Sequence, residues 1–148
     1  MEVKVRIIEK DKIERVDINC HEITEDVKEI VTFVKQRQGQ ITGTLEGEQY
    51  EILLTNIYYI ESVDDVVFIY CKNQVYETRK KLYEIEEQIG YKQFFRVSKS
   101  CIVNLMKVKS IKPALNGRYL AQLISGEGVI ISRKYVPDLK KKLKGESK

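Results

Sequence analysis

The sequence predicts a mainly β protein, α+β overall. A many-stranded β module with one inserted helix occupies residues 40–148, behind a small β-β-α block over residues 1–39. Three observations carry this reading. Short apolar runs bounded by Gly, Asn and Asp turn signals recur from Gln40 onward. Helical spacing of apolar residues is confined to the stretches around Val27–Val34, Leu82–Ile89 and Val136–Leu143. The length of 148 residues, with 43% hydrophobic and 32% charged residues, suits one ordered globular domain with a modest addition.

Val3, Val5 and Ile7 alternate with Glu2, Lys4 and Arg6, the pattern of a half-buried strand. A turn at Lys10-Asp11-Lys12 leads to a second, weaker strand carrying Ile13, Val16 and Ile18. Thr24 is placed to cap a helix whose first turn holds Glu25 and Asp26, where the helix dipole favours acids. Val27, Ile30, Val31 and Val34 form its apolar stripe, and Gly39 ends it. That stripe needs a cover, so residues 1–39 are expected to stabilise or dimerise the protein.

The β module then unfolds in order. Strands over Ile41–Glu46 and Tyr50–Leu54 flank a hairpin signal at Glu46-Gly47-Glu48. Ile57–Ser62 turns through Asp64-Asp65 into Val66–Cys71, and Val75–Thr78 follows a turn at Lys72-Asn73-Gln74. Leu82, Ile85 and Ile89 mark a helix closed by Gly90. Val108–Lys112 and Arg118–Ile124 flank Asn116-Gly117, which accepts the positive φ angles of a tight hairpin. Val129–Ser132 is the last strand, and Val136, Leu139 and Leu143 mark a short basic helix that Pro137 can begin.

The net charge of +4 conceals a division. Residues 91–148 hold 14 Lys and Arg against Glu127, Asp138 and Glu146, a net +11, whereas residues 1–90 hold 12 basic and 19 acidic groups, a net −7. Such a division points to a polyanion meeting the C-terminal part. No apolar run approaches the roughly 20 residues of a membrane span, and the charged N-terminus excludes a secretory apolar region. Cys20, Cys71 and Cys101 are isolated and lack CxxC spacing, which reads as buried thiols in a reducing, cytoplasmic compartment.

Several chemistries lack their residues. His21 is the only histidine and has no partner at ligand spacing, so no metal site and no histidine-activated nucleophile is expected. The Tyr76-to-Lys80 spacing matches one used by some oxidoreductases, but no phosphate-cradling glycine loop accompanies it. Neither an enzyme, a cofactor nor a small-molecule substrate is expected.

The stretch Phe94–Asn104, FFRVSKSCIVN, holds a polar, basic segment between two apolar runs. The segment reads either as an ordinary turn between two core runs or as a loop that those packed runs hold rigid, where proteins tend to place recognition chemistry. Lys99 projects from it, with Ser98 and Ser100 beside it to bond phosphate oxygens. Arg133 and Lys134 follow the last strand and can reach guanine edges or phosphates. Asn104 can pair with adenine or end its strand structurally, and Arg118 can meet the backbone or line a solvent face.

From about Asn56 to Lys144, these pieces in this order resemble a LytTR-type DNA-binding domain, a bacterial transcription-regulator module. The matching pieces are IYYIES at 57–62, the strand Val67–Tyr70 and the helix with Leu82, Ile85 and Ile89. FFRVSKSCIVNL at 94–105, Val108–Ile111 and SRKYV at 132–136 complete the set. The resemblance implies an elongated arrangement of small β-sheets packed as a sandwich, with inter-strand loops entering successive major grooves. It places Lys99 in the central recognition loop, Arg133 and Lys134 in a late turn, and Ser62–Val66 as a third contact region. Many members carry His-Arg-Ser where this chain has Ser98-Lys99-Ser100, and lysine lacks the planar fork of arginine. Asp64 and Asp65 in the third loop would repel phosphate unless they face bases. Many members also carry a receiver domain. The 55 residues ahead of the motifs leave no room for one, so a stand-alone regulator is expected, without control by aspartyl phosphorylation.

The expectation is therefore a transcriptional regulator binding double-stranded DNA at paired half-sites, as a homodimer and without membrane insertion. Two other readings remain open. One is an RNA- or single-strand-binding β module stacking bases on aromatics such as Tyr58, Tyr59, Tyr119 and Tyr135. The other is a protein-interaction domain whose basic residues serve solubility.

Overall fold

The computed structural model describes residues 1–12, 14–90 and 93–143. Helix α1 spans Glu25–Arg37. It is followed by β1 (Gln40–Leu45), β2 (Glu48–Leu53), β3 (Ile57–Val63), β4 (Val66–Cys71) and β5 (Val75–Thr78). Helix α2 (Leu82–Ile89) then precedes β6 (Phe94–Ser98), β7 (Cys101–Asn104), β8 (Val108–Pro113), β9 (Tyr119–Leu123), β10 (Gly128–Ile131) and α3 (Val136–Leu143). A seven-stranded sheet has the order β2-β1-β5-β4-β3-β7-β6, and a three-stranded sheet the order β10-β9-β8. Every pairing is antiparallel. The mainly β, multi-sheet expectation is met.

Side-chain alternation on the large sheet divides the interior into two cores. Ile57, Ile60, Ile69 and Ile102 pack with Leu82 and Ile85 of α2. Tyr58, Val97, Cys101 and Val103, on the other face, pack with Ala121, Leu123 and Ile131 of the small sheet and with Val136 and Leu139 of α3. Strand β7 contributes to both cores, and all four of its residues are buried. A strand covered on both faces reads as an unbroken apolar run, which explains CIV in the sequence.

Two hairpin turns of the large sheet use left-handed residues. Glu46 and Gly47 join β1 to β2 with φ of 52° and 82°, and Asp64 and Asp65 join β3 to β4 with φ of 51° and 66°. Such turns follow the strand twist, and aspartate is among the few side chains that tolerate them.

The N-terminal block departs from expectation. Its helix forms, and Thr24 Oγ1 accepts a hydrogen bond from the Val27 amide at 3.4 Å. Among the described residues ahead of it no strand is present; Ile13 lies outside them. Val3, Val5 and Ile7 are 89%, 93% and 96% exposed. Period-2 alternation marks a segment able to be half buried, but a strand also needs a ladder partner. No strand among the described residues pairs with this segment. No helix among the described residues is long and apolar enough to cross a membrane.

The cysteines also differ from a uniformly buried set: Cys20 is exposed, Cys71 half-buried and Cys101 buried. Burial pushes the Cys71 thiol up to about 11 and, aided by nearby Glu61, the Cys101 thiol up to about 12, from an ordinary 9.0. Both thiols stay protonated in the fold where an unfolded thiol ionises. Their contribution to stability is thus fully present below pH ~9 and lost as pH rises toward their folded values. A thiol reagent at pH 8 should label Cys20 quickly and Cys101 only on unfolding. Equal labelling rates for the two in the native protein would contradict this packing.

Candidate nucleic-acid interface

Three turns meet at one end of the large sheet. The β3–β4 turn holds Asp64 and Asp65, the β6–β7 turn holds Lys99 and Ser100, and the segment after β10 holds Arg133–Tyr135 in a single 3-10 turn. Backbone hydrogen bonds tie them together. The Ser62 amide donates to the Ser100 carbonyl at 2.8 Å, and the Ser132 amide donates to the Val97 carbonyl at 2.8 Å. The Lys99 turn and the Arg133 turn are therefore fixed to the same strand, β6.

Lys99, Arg133 and Lys134 are all exposed at this end. Ser98 and Ser100 are half-buried and partly engaged with each other. The Ser100 amide donates to Ser98 Oγ at 3.2 Å, and the two hydroxyl oxygens lie 3.4 Å apart. Arg118, also exposed, is brought close by a tight contact. A Cβ added at Gly117 would lie 2.8 Å from Arg133 Cδ, so the Arg133 side chain runs directly across the Asn116–Gly117 turn. Gly117 is needed there twice, for this approach and for its φ of 75°.

Asn104 requires a correction as a base-contacting candidate. It is fully buried, its amide nitrogen donates to the Ile57 carbonyl at 2.7 Å, and its oxygen accepts from the Met106 amide at 3.0 Å. Both ends of the side chain are committed, so it shapes the corner from β7 to β8 and reaches no ligand. Arg96 was visible in the sequence only as one cation among many. Its guanidinium bonds the carbonyls of Ser98 at 2.8 Å and Lys99 at 2.6 Å, and the Glu86 carboxylate of α2 at 2.6 Å. Only the folded chain brings Glu86 and the Lys99 turn to one side chain.

The aromatics proposed as stacking platforms are largely occupied. Tyr58 is buried, with the Lys107 ammonium 5.0 Å from its ring centre. Tyr59 stacks on Tyr70 at 4.2 Å and donates to Glu127 at 3.2 Å. Burial, reinforced by Glu127, raises the Tyr59 phenol well above its usual range. Lys140 lies 5.3 Å from the Tyr119 ring and Lys134 lies 5.8 Å from the Tyr135 ring. A crevice of about 370 Å³ between the sheets is lined by Tyr59, Glu61, Ser98, Cys101 and Ser132, among others. No cluster of metal-ligating side chains exists among the described residues.

Exposed cations thus stand on two turns, one after β6 and one after β10, joined through β6 in a mainly β module. The LytTr DNA-binding domain family model matches residues 47–144. The chain belongs to the LytTr DNA-binding domain family. Over 145 residues it is 24% identical to an uncharacterised HTH-type transcriptional regulator of Staphylococcus aureus, covering 97% of this chain and 98% of that protein. Over 101 residues it is 30% identical to the sensory transduction protein LytT of Enterococcus faecalis, covering 67% of this chain and 42% of that one. A solved LytTr DNA-binding domain from Bacillus cereus shares the fold at a TM-score of 0.65 and 23% identity, covering 70% of this chain and 94% of that one.

Replacing Asn104 by alanine strands the buried Ile57 carbonyl and frees the Met106 amide. Asn104→Ala should cost about 1–3 kcal/mol of stability, read as a lower urea midpoint. An unchanged midpoint would mean that the corner does not depend on this side chain.

Proposed function

We propose that this protein is a transcriptional regulator that recognises double-stranded DNA by sequence, reading the major groove with turns that follow strands. Lys99 on the β6–β7 turn and Arg133 with Lys134 after β10 approach bases and phosphates, with Ser98 and Ser100 on phosphate oxygens. Arg118 adds backbone contact beside Arg133. The observation that carries this reading is the joining of two exposed cationic turns through β6, because register on a duplex requires cations at fixed separation. Family membership supports the same polyanion. Asp64 and Asp65 border the cationic surface and confine phosphate approach to the Lys99 and Arg133 side. The occupied tyrosines favour a duplex over single strands, which would need free stacking faces.

Binding to paired half-sites as a homodimer belongs to the same proposal. Its support is the N-terminal segment, whose alternating Val3, Val5 and Ile7 have no cover among the described residues. A reducing, cytoplasmic setting agrees with three free cysteines.

Selection from a random duplex pool near physiological salt should enrich a short motif repeated about one helical turn apart, bound by two chains per duplex. Lys99→Glu with Arg133→Glu should weaken that duplex by about tenfold or more per residue and reduce the salt dependence of binding. Undiminished affinity in the folded double variant would sink the turn-readout proposal.

A further inference from the structure

The turn that carries Lys99 differs from the other two-residue hairpins of its sheet. Glu46-Gly47 and Asp64-Asp65 adopt left-handed φ angles that follow the strand twist, whereas neither Lys99 nor Ser100 does. Strand β6 also loses regular register between Arg96 and Ser98. A two-residue turn without left-handed residues splays its strands unless something else holds it.

Arg96 supplies that hold. Its Nε donates to the Ser98 carbonyl at 2.8 Å and one terminal nitrogen donates to the Lys99 carbonyl at 2.6 Å. The other terminal nitrogen donates to Glu86 Oε1 at 2.6 Å, so α2 braces the guanidinium from behind. The Ser100 carbonyl accepts from the Ser62 amide of β3. Every carbonyl from Ser98 to Ser100 is thereby engaged. The Arg96 and Glu86 side chains are only 23% and 17% exposed, unlike a cation offered to solvent.

We propose that Arg96 is a positioning residue for DNA recognition: braced by Glu86, it fixes the backbone of the turn that presents Lys99 and does not itself neutralise phosphate. This rests on the DNA-reading function proposed above. Charge alone is then insufficient at this position, because a lysine cannot span two carbonyls and a carboxylate as a planar fork does. Preorganisation of this kind acts on recognition geometry before it acts on generic attraction.

The test uses the full chain carrying Arg96→Lys or Glu86→Gln, compared with wild type and Lys99→Ala. Each binds the duplex that wild type selects and a scrambled duplex, across a salt series. Arg96→Lys and Glu86→Gln should each weaken the selected duplex about tenfold, the scale of one displaced base contact. Scrambled-duplex affinity and the salt slope should stay as in wild type, while Lys99→Ala should flatten the slope by about one phosphate contact. The sign of the Glu86→Gln effect separates the alternatives. If Arg96 were a phosphate contact held back by Glu86, removing that carboxylate would tighten both duplexes, and such tightening would overturn the proposal. Full retention of sequence preference in Arg96→Lys would overturn it as well. Amide exchange at Lys99 and Ser100 should rise in both variants without DNA, and unchanged exchange would refute the clamp itself. A wild type with no sequence preference would instead refute the DNA-reading function, while the exchange result would still judge the clamp.

Discussion

Burial of β7 on both faces is the constraint from which the rest of the molecule follows. Its ladder bonds run to β3 on one edge and to β6 on the other, while Ile102 faces one core and Cys101 and Val103 face the second. A strand held this way has little freedom of register, since a one-residue slip would exchange its two faces. The Lys99 turn sits at its beginning, and Asn104 at its end turns the chain toward the small sheet. Asn104 does this by bonding the start of β3 and the Met106 amide, and the Lys107 carbonyl then accepts from the Ile124 amide. The position of the Lys99 turn is thus inherited from a strand buried along its whole length.

Electrostatics builds on that rigidity. Isolated exposed cations interact weakly in water, but a polyanion sums them and releases its counterions. In the proposed function the net +11 of residues 91–148 would supply general attraction, and the turns would decide which cations stand in fixed relation. Asp64 and Asp65, on the β3–β4 turn, put acids at the same end of the sheet. Glu86 has a different part: its carboxylate accepts from Arg96, behind the turn on which Lys99 is exposed.

Local pattern made most of the β module legible in advance. The strands from Gln40 to Ile131, the Asp64-Asp65 and Asn116-Gly117 turns and all three helices follow from apolar period and turn chemistry. The ordered motifs at 57–62, 94–105 and 132–136 pointed to the LytTr family. What failed has a common cause, because pattern reports a face to be buried but not its partner. Val3, Val5 and Ile7 alternate as a strand should, yet no sheet edge among the described residues receives them. Asn104 has the right chemistry for adenine, but the carbonyl of Ile57, 47 residues away, claims it. Arg96 shows the reverse error, a cation whose use depends on a helix and a turn that only folding brings together. The apposition of Gly117 and Arg133 was equally invisible, being a contact between two turns distant in sequence.

On the proposed reading, the turns that follow β6 and β10, and not α1 or α2, meet the DNA. Titrating the isotopically labelled protein with its selected duplex while following backbone amide resonances tests this most directly. The largest shifts should fall on Ser98–Ser100 and Arg133–Tyr135, with Arg118 following and the amides of α1 and α2 little changed. Large shifts along α2 or α1, with the Lys99 and Arg133 turns unmoved, would contradict it.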